Sequence, residues 1–305
     1  MHFGRVTSVE GIRFEPVPTD PRSGKVLAGS PAQEPRLYMG APVWSVPSWK
    51  GGVYPRGTPP GRFLHYYARR FSCVELNSTF YSLPPEARLR AWRETVPDDF
   101  RFCPKVPRDA SHVAPGRERD RVLDRFAEAL DVLGDRVGMP FLQLPPEVGP
   151  SALGRVRSLV ERLPAGHRPA IEFRHPDWFS DRRLHDDAFG WLQALELPVV
   201  ISDVAGRPDV LHGSLPSPRL MVRFGGNALD PTDFERIETW ADTLVRWLGS
   251  GLREAYFFVH QPDDVHAPSL VAALEKAIDS RAPGLSVRQS PPPLPPEPDG
   301  QRLLF

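Results

Sequence analysis

Long apolar runs, cysteine, lysine and net charge are all scarce in this chain. No apolar stretch approaches the length of a bilayer-spanning helix, and the first residues lack a signal-peptide core; the cytoplasm is the expected location and no membrane partner is expected. Two cysteines, Cys73 and Cys103, cannot build a disulfide framework. Both fall in apolar runs, where cysteine packs as a small hydrophobe. The 38 basic and 38 acidic side chains cancel. That excludes a general attraction of the whole chain to polyanions and leaves room only for a local basic patch. Lysine occurs only at Lys25, Lys50, Lys105 and Lys276; arginine supplies the remaining positive charge.

Proline, by contrast, is abundant: 37 residues, roughly twice the average share. Residues 1–36 mix Pro, Gly and charge without periodicity and read as a flexible N-terminal extension. Residues 281–305 form a Pro-rich tail containing SPPPLPPEPDG, expected to be extended and disordered. The folded domain is expected over 37–280, with enough apolar residues for a sizeable core.

One pattern repeats inside that domain: a short apolar run, a polar loop, then helical spacing. The runs are LYMGAPVW (37–44), FSCVELN (71–77), FRFCPKV (100–106), MPFLQL (139–144), PAIEF (169–173), PVVISD (198–203), LMVRF (220–224) and EAYFFVH (254–260). They are short, continuous and apolar, as strands buried on both faces should be. Helical stripes lie between them, among them Phe63, Leu64, Tyr67 and Phe71; Val122, Phe126, Ala129, Leu130 and Leu133; and Ile237, Trp240, Leu244 and Leu248. Eight strand–helix units of this size predict an α/β fold, a (β/α)8 TIM-barrel-like single domain. A doubly wound open sheet is the alternative, but MGAPVW after the first strand is not a Gly-rich phosphate turn.

In such a barrel functional groups gather at the C-terminal ends of the strands. Those ends carry Trp44, Glu75 with Asn77, Lys105, Gln143, Glu172 with Arg174 and His175, Asp203, Arg223 with Gly225, Gly226 and Asn227, and His260 with Gln261. A carboxylate within a buried strand is costly unless it is paired, metal-bound or put to chemical use. Glu75, Glu172, Asp203 and His175 are therefore the candidate catalytic groups. Glu75, Glu172, Asp203 and His260 are the candidate ligands for one or two divalent metal ions that activate water. The competing reading pairs each carboxylate with Lys105, Arg174 or Arg223, and no HxH or HxxxH spacing favours the metal. Lys105, Arg174 and Arg223, with the FGGN turn carrying Gly225 and Gly226, form a candidate anion site; barrels often hold phosphate after strands seven and eight. A simple Gly turn is the competing reading there. Trp44, Asn77 and His112 complete the candidate substrate contacts.

WSVPSWKGGVYP, FSCVELNSTFYSLP, FRFCPKVPRDASH, FLQLPP, IEFRHPDWF and VRFGG, in this order over residues 38 to about 278, resemble the domain-of-unknown-function 72 family, also called YecE-like proteins. The resemblance implies a TIM-barrel-like fold and no established activity. It also implies recurring polar positions at Trp44, Glu75, Asn77, Lys105, His112, Glu172, Arg174, His175, Asp203 and Arg223. Two departures stand out: GAPVW replaces the family's usual Gly-Thr-Ser-Gly-Trp, and His260 and Gln261 stand where Asn residues usually end the last strand.

The chain ends DGQRLLF. A terminal Gln-x-x-Leu-Phe on a Pro-rich spacer resembles the peptide by which bacterial polymerases and repair proteins bind the sliding clamp, with Gln301, Leu304 and Phe305 as anchors. Folding back onto the barrel is the competing reading. Three functions follow as expectations. One is a barrel-mouth enzyme for an anionic, phosphate-bearing substrate, in its most concrete form a metal-assisted phosphodiester or sugar-phosphate hydrolase linked to DNA metabolism. The second is a non-catalytic barrel that binds a nucleotide or a nucleic-acid end and is tethered to the clamp. The third is a sugar isomerase or lyase.

Overall fold

The computed structural model describes residues 3–28, 35–112, 114–283 and 285. All eight predicted runs form parallel strands: β1 (Arg36–Ala41), β2 (Cys73–Leu76), β3 (Arg101–Pro104), β4 (Phe141–Gln143), β5 (Ala170–Glu172), β6 (Val199–Asp203), β7 (Arg219–Gly225) and β8 (Glu254–His260). They run in the order β3-β2-β1-β8-β7-β6-β5-β4. The seam between β3 and β4 carries only the single bridges Phe102–Val137 and Lys105–Phe141, so the eight-stranded TIM-barrel-like ring is nearly closed.

The strand period of two divides each strand between lumen and helix layer. Tyr38, Cys73, Cys103, Met139, Phe141, Ala170, Val200, Met221, Tyr256 and Phe258 form one apolar plug inside the ring. Alternate residues such as Val74, Phe102, Leu142, Ile171, Val199, Val222 and Phe257 face the helices and join the larger core. Two residues beyond the plug, on the same inward parity, stand Glu75, Lys105, Gln143, Glu172, Ser202, Arg223 and His260. The parity that fills the lumen with carbon therefore delivers a polar layer at its mouth.

The outer layer contains α2 (Phe63–Arg70), α3 (Glu86–Thr95), α4 (Arg117–Leu133), α5 (Leu153–Glu161), α6 (Asp186–Ala194), α7 (Pro231–Gly249) and α8 (Ala267–Arg281); α1 (Pro21–Leu27) precedes the barrel. Their buried faces carry the stripes read from the sequence: Phe63, Leu64 and Tyr67 on α2, and Ile237, Trp240, Leu244 and Leu248 on α7. Helix α7 opens on Pro231 behind the N-cap Asp230, whose side chain accepts from Thr232 N–H.

The regular alternation fails once. Between β6 and β7 the chain makes only a short turn at Pro208–Val210 and no α-helix. The N-terminal segment, expected as a flexible extension, supplies cover there. Val17, Asp20, Ser23 and Leu27 are buried. Ser23 Oγ donates to Gly213 O at 2.9 Å and accepts from Leu215 N–H at 2.7 Å, while Ser214 Oγ donates to Asp20 Oδ2 at 2.5 Å. Composition did not reveal this because the segment's anchoring residues are spaced singly among prolines rather than in a stripe.

Candidate functional site

Arg223 is the centre of the polar layer. It is 3% exposed, and its guanidinium bridges two carboxylates from opposite sides of the ring. Nε and Nη2 donate to Glu75 at 3.0 and 2.7 Å, and Nη1 donates to Glu172 Oε2 at 2.7 Å. Glu75 also accepts from Asn77 Nδ2 at 2.7 Å and meets His260 Nε2 at 2.9 Å. Glu172 accepts further from Arg174 Nε at 2.8 Å and Ser202 Oγ at 2.9 Å. Both carboxylates are completely buried.

Burial alone would raise both carboxyl pKa values, but the facing charges win. Arg223 and then His260 hold Glu75 well below the usual carboxylate range. Arg174, Arg223 and Lys105 hold Glu172 down at about 2. Burial lowers the pKa of His260, with Arg223 adding to the effect against the pull of Glu75. The competing reading of these carboxylates is the one the geometry fits: they are ionised and bonded to guanidinium groups.

The four-residue metal set does not assemble. Asp203 is an outward residue of β6, because Ser202 pairs in register with inward-facing Arg223. Its carboxylate lies in the helix layer, 2.7 Å from Arg236 Nη2 and accepting from Trp240 Nε1 at 2.8 Å. A one-residue step in strand parity thus removes it from the mouth. Among the described residues no group of three His, Cys, Asp or Glu side chains converges as a metal site. Of the three donors that remain, Glu75 and Glu172 have their oxygens engaged by Arg223, Arg174, Asn77 and Ser202, and His260 Nε2 is paired with Glu75, so the set does not fit a divalent ion. Asp203→Ala is expected to cost about 2–4 kcal/mol of stability, through the unpaired Trp240 N–H and the lost Arg236 partner, while leaving ligand affinity at the mouth unchanged. Urea unfolding and calorimetric titration of the same variant check both halves.

His175 also lies apart. Its Nδ1 caps the turn Pro176–Trp178 by accepting from Asp177 N–H, and its ring packs against Gly149. The FGGN turn is closed by the chain's own acceptors. Gly226 N–H donates to His260 O at 2.8 Å, Asn227 N–H to Asp233 Oδ2 at 2.7 Å and Ala228 N–H to Gln261 Oε1 at 2.9 Å. The Asp233 carboxylate thus takes both the backbone and the side-chain N–H of Asn227. Gly225 and Gly226 line a separate cleft beneath residues 3–10.

The mouth opens into a cavity of about 590 Å³ lined by Phe3, Trp44, Glu75, Asn77, Phe80, Tyr81, Lys105, Gln143, Arg174, Arg223, His260 and Asp264. Lys105 Nζ donates to Gln143 Oε1 at 3.0 Å and sits 3.9 Å from the centre of the Phe80 ring. Burial first, then the charge of Arg223, brings its pKa down to about 8. Trp44 stands edge-on to Trp92, and its carbonyl accepts from Tyr54 OH. His112 is exposed and stacks edge-on to Phe80 with ring centres 5.4 Å apart. Partial shielding of its ring from water and the cations Arg108 and Lys105 lower its pKa.

Sequence reasoning missed Phe3 and Ser202 as site neighbours. Phe3, from the N-terminal segment, lies 4.2 Å from the Arg174 guanidinium and 4.9 Å from that of Arg207. No local pattern signals it. Ser202 was legible from strand parity once Arg223 was assigned inward. Gln301, Leu304 and Phe305 lie outside the described residues. No described helix is long and apolar enough to cross a membrane.

The chain can now be set beside known proteins. The UPF0759 protein YecE of Escherichia coli K12 is 34% identical over 258 residues, 78% of this chain and 91% of that protein. The UPF0759 protein YunF of Bacillus subtilis 168 is 24% identical over 206 residues, 62% and 70% of the two chains. Crystal structures of DUF72 family proteins share the fold. One from Enterococcus faecalis V583 gives a TM-score of 0.64 at 17% identity, covering 80% of this chain and 96% of that one. One from Thermotoga maritima MSB8 gives 0.63 at 22% identity, covering 80% and 99%. The model of the protein family of unknown function DUF72 matches residues 38–297, and with these relatives it places the chain in the DUF72 family.

Proposed function

We propose that the barrel mouth binds a small molecule bearing a phosphate or carboxylate group and acts on it chemically. The observation that carries this reading is the charge balance of the polar layer. Two carboxylates, Glu75 and Glu172, face three cations, Lys105, Arg174 and Arg223. The carboxylates bond to the arginines, and Lys105 makes no ion pair among the described residues. Its partners are a neutral amide and an aromatic face. An anion entering the cavity would meet in Lys105 a cation that no carboxylate pairs, in a setting where water screens weakly. Trp44, Phe80 and Tyr81 offer apolar and aromatic wall to the body of such a ligand.

Metal-assisted phosphodiester hydrolysis is the narrower form read from the sequence. The geometry gives it less support, since the carboxylates that would hold the ion are committed to arginine. Lys105, which no carboxylate pairs, is the group best placed to contact substrate.

The test is titration calorimetry with inorganic phosphate, ribose 5-phosphate and a 5′-phosphorylated dinucleotide, with ribose as the uncharged control. The phosphate ligands should bind and ribose should not. Lys105→Met should weaken binding at least tenfold, about 1.4 kcal/mol. Lys105 is charged below its pKa of about 8. Affinity should therefore hold at pH 6.5–7 and fall as pH rises through about 8 to 9. Absence of binding by any phosphate ligand at pH 6.5, or unaltered affinity in Lys105→Met, would overturn the proposal. Preference among the three ligands distinguishes a small molecule from a nucleic-acid end.

A further inference from the structure

We propose that the Lys105 amine is a nucleophile that forms an imine with the carbonyl group of an anionic aldehyde or keto compound bound at the barrel mouth. This deepens the reading above and rests on it, since the ligand's anionic group is what holds the carbonyl in the cavity.

The geometry separates Lys105 from the other buried cations. Arg223 spends its guanidinium on Glu75 and Glu172, and Arg174 bonds Glu172. These pairs leave no carboxylate within ion-pair distance of Lys105 Nζ among the described residues. Its surroundings are the Phe80 face at 3.9 Å, the Phe141 ring at 5.9 Å and the amide oxygen of Gln143 at 3.0 Å. Burial and the charge of Arg223 disfavour the ammonium form and outweigh the pull of Glu172 and Glu75. An apolar wall together with adjacent cations is the setting that turns a lysine into a nucleophile near neutral pH. With its pKa near 8, roughly a quarter of Lys105 is free amine at pH 7.5. The side chain is 6% exposed, yet it lines a cavity of about 590 Å³ that opens at the strand ends. That volume admits a sugar-phosphate-sized molecule.

The chemistry balances without a co-reactant. The Nζ lone pair attacks the carbonyl carbon, and the C=O π pair becomes the oxygen's. The proton shed by nitrogen passes to that oxygen, giving a carbinolamine. Loss of the hydroxyl with the remaining N–H proton releases one water and leaves C=N. No electron is gained or lost overall. Gln143 Oε1 accepts from the amine and fixes the direction of the nitrogen; Gln143 is thus a positioning residue. The imine would withdraw electrons from the adjacent carbon, which is the shared first step of aldol, decarboxylation and isomerisation chemistry on such compounds.

The experiment uses the full chain with pyridoxal 5′-phosphate and, separately, dihydroxyacetone phosphate, each followed by sodium borohydride and mass mapping. The chain has four lysines, Lys25, Lys50, Lys105 and Lys276, so the assignment is direct. The expected result is one reduced adduct at Lys105, formed faster as pH rises from 6.5 to about 8, above which the weakening anion site offsets the gain in free amine, and suppressed by excess inorganic phosphate. Lys105→Arg, which keeps a positive charge and removes the amine, should lose the adduct. Adducts confined to Lys25, Lys50, Lys276 or the α-amino group would overturn the imine proposal, as would none at all. If phosphate still binds in that event, the anion-site reading survives and only the nucleophile is lost. If phosphate does not bind either, both fail.

Discussion

Arg223→Met is expected to lower the unfolding free energy by about 3–5 kcal/mol at pH 7, the cost of leaving buried Glu75 without its guanidinium partner and Glu172 with Arg174 alone. Arg223 holds Glu75 through two hydrogen bonds and Glu172 through a third, and all three side chains lie within the ring. Methionine fills much of the volume but leaves two anions facing each other in low dielectric. The loss should show as a lower urea midpoint with an unchanged slope. The pH dependence carries the sign. Glu75 and Glu172 have folded pKa values depressed below the model-peptide range, Glu172 to about 2. Their contribution in the native protein is present above the unfolded value of about 4.3 and disappears as pH falls towards about 2. In Arg223→Met Glu75 loses its guanidinium partner and shifts towards the protonated form, while Glu172 keeps Arg174 and Lys105, so the stability gap between the two proteins should narrow as pH falls below about 5. A gap constant across that range would mean that the bridge does not set the ionisation of the carboxylates.

Removal of residues 1–28 is expected to destabilise the barrel by several kcal/mol and to promote association of the truncated protein. Val17 and Leu27 are buried in the main core, and each fully buried aliphatic contributes about 1.5–3 kcal/mol. Asp20 and Ser23 satisfy Ser214, Leu215 and Gly213 in the one connection that has no helix of its own. Arg22 adds a bond to Leu184 O at 2.8 Å. Truncation would leave these groups short of partners and open an apolar face between β6 and β7. Chemical denaturation and light scattering read the two effects. A truncated protein with the native midpoint would show the segment to be draped rather than structural. Ser23→Ala is the milder companion, removing the hydroxyl that serves two backbone groups.

The eight strands were legible because a strand buried on both faces leaves a continuous apolar run, and each run is followed by a stripe or a polar loop. The family resemblance pointed to the same fold. Of the candidate site, Glu75, Glu172, Arg223, Lys105, Asn77 and His260 lie together at the mouth, where the strand-end rule puts them. That rule reports position along the barrel axis and is silent on which face a side chain takes. Asp203 shows the gap: it ends its strand like the others, but its parity turns it to Trp240. The glycines of FGGN show a second gap. Their N–H groups suit an anion only while no acceptor nearby has claimed them, and Asp233, six residues on from Asn227, cannot be seen to do so from spacing alone. Phe3 and the N-terminal cover were out of reach for a third reason. They depend on contacts such as Asp20 with Ser214, which span 194 residues, and no local periodicity encodes such a contact.

That span also imposes an order on synthesis. Helix α1 leaves the ribosome long before its dock exists, since Ser214 follows Asp20 by 194 residues. At about 5–20 residues per second the wait is on the order of 10–40 s. An α1 of seven residues is too short to hold helical form alone in that interval. Helix α1, made well before its dock, is thus among the last elements to settle, and the seal over β6 and β7 becomes a late event of folding that reports on completion of the ring beneath it.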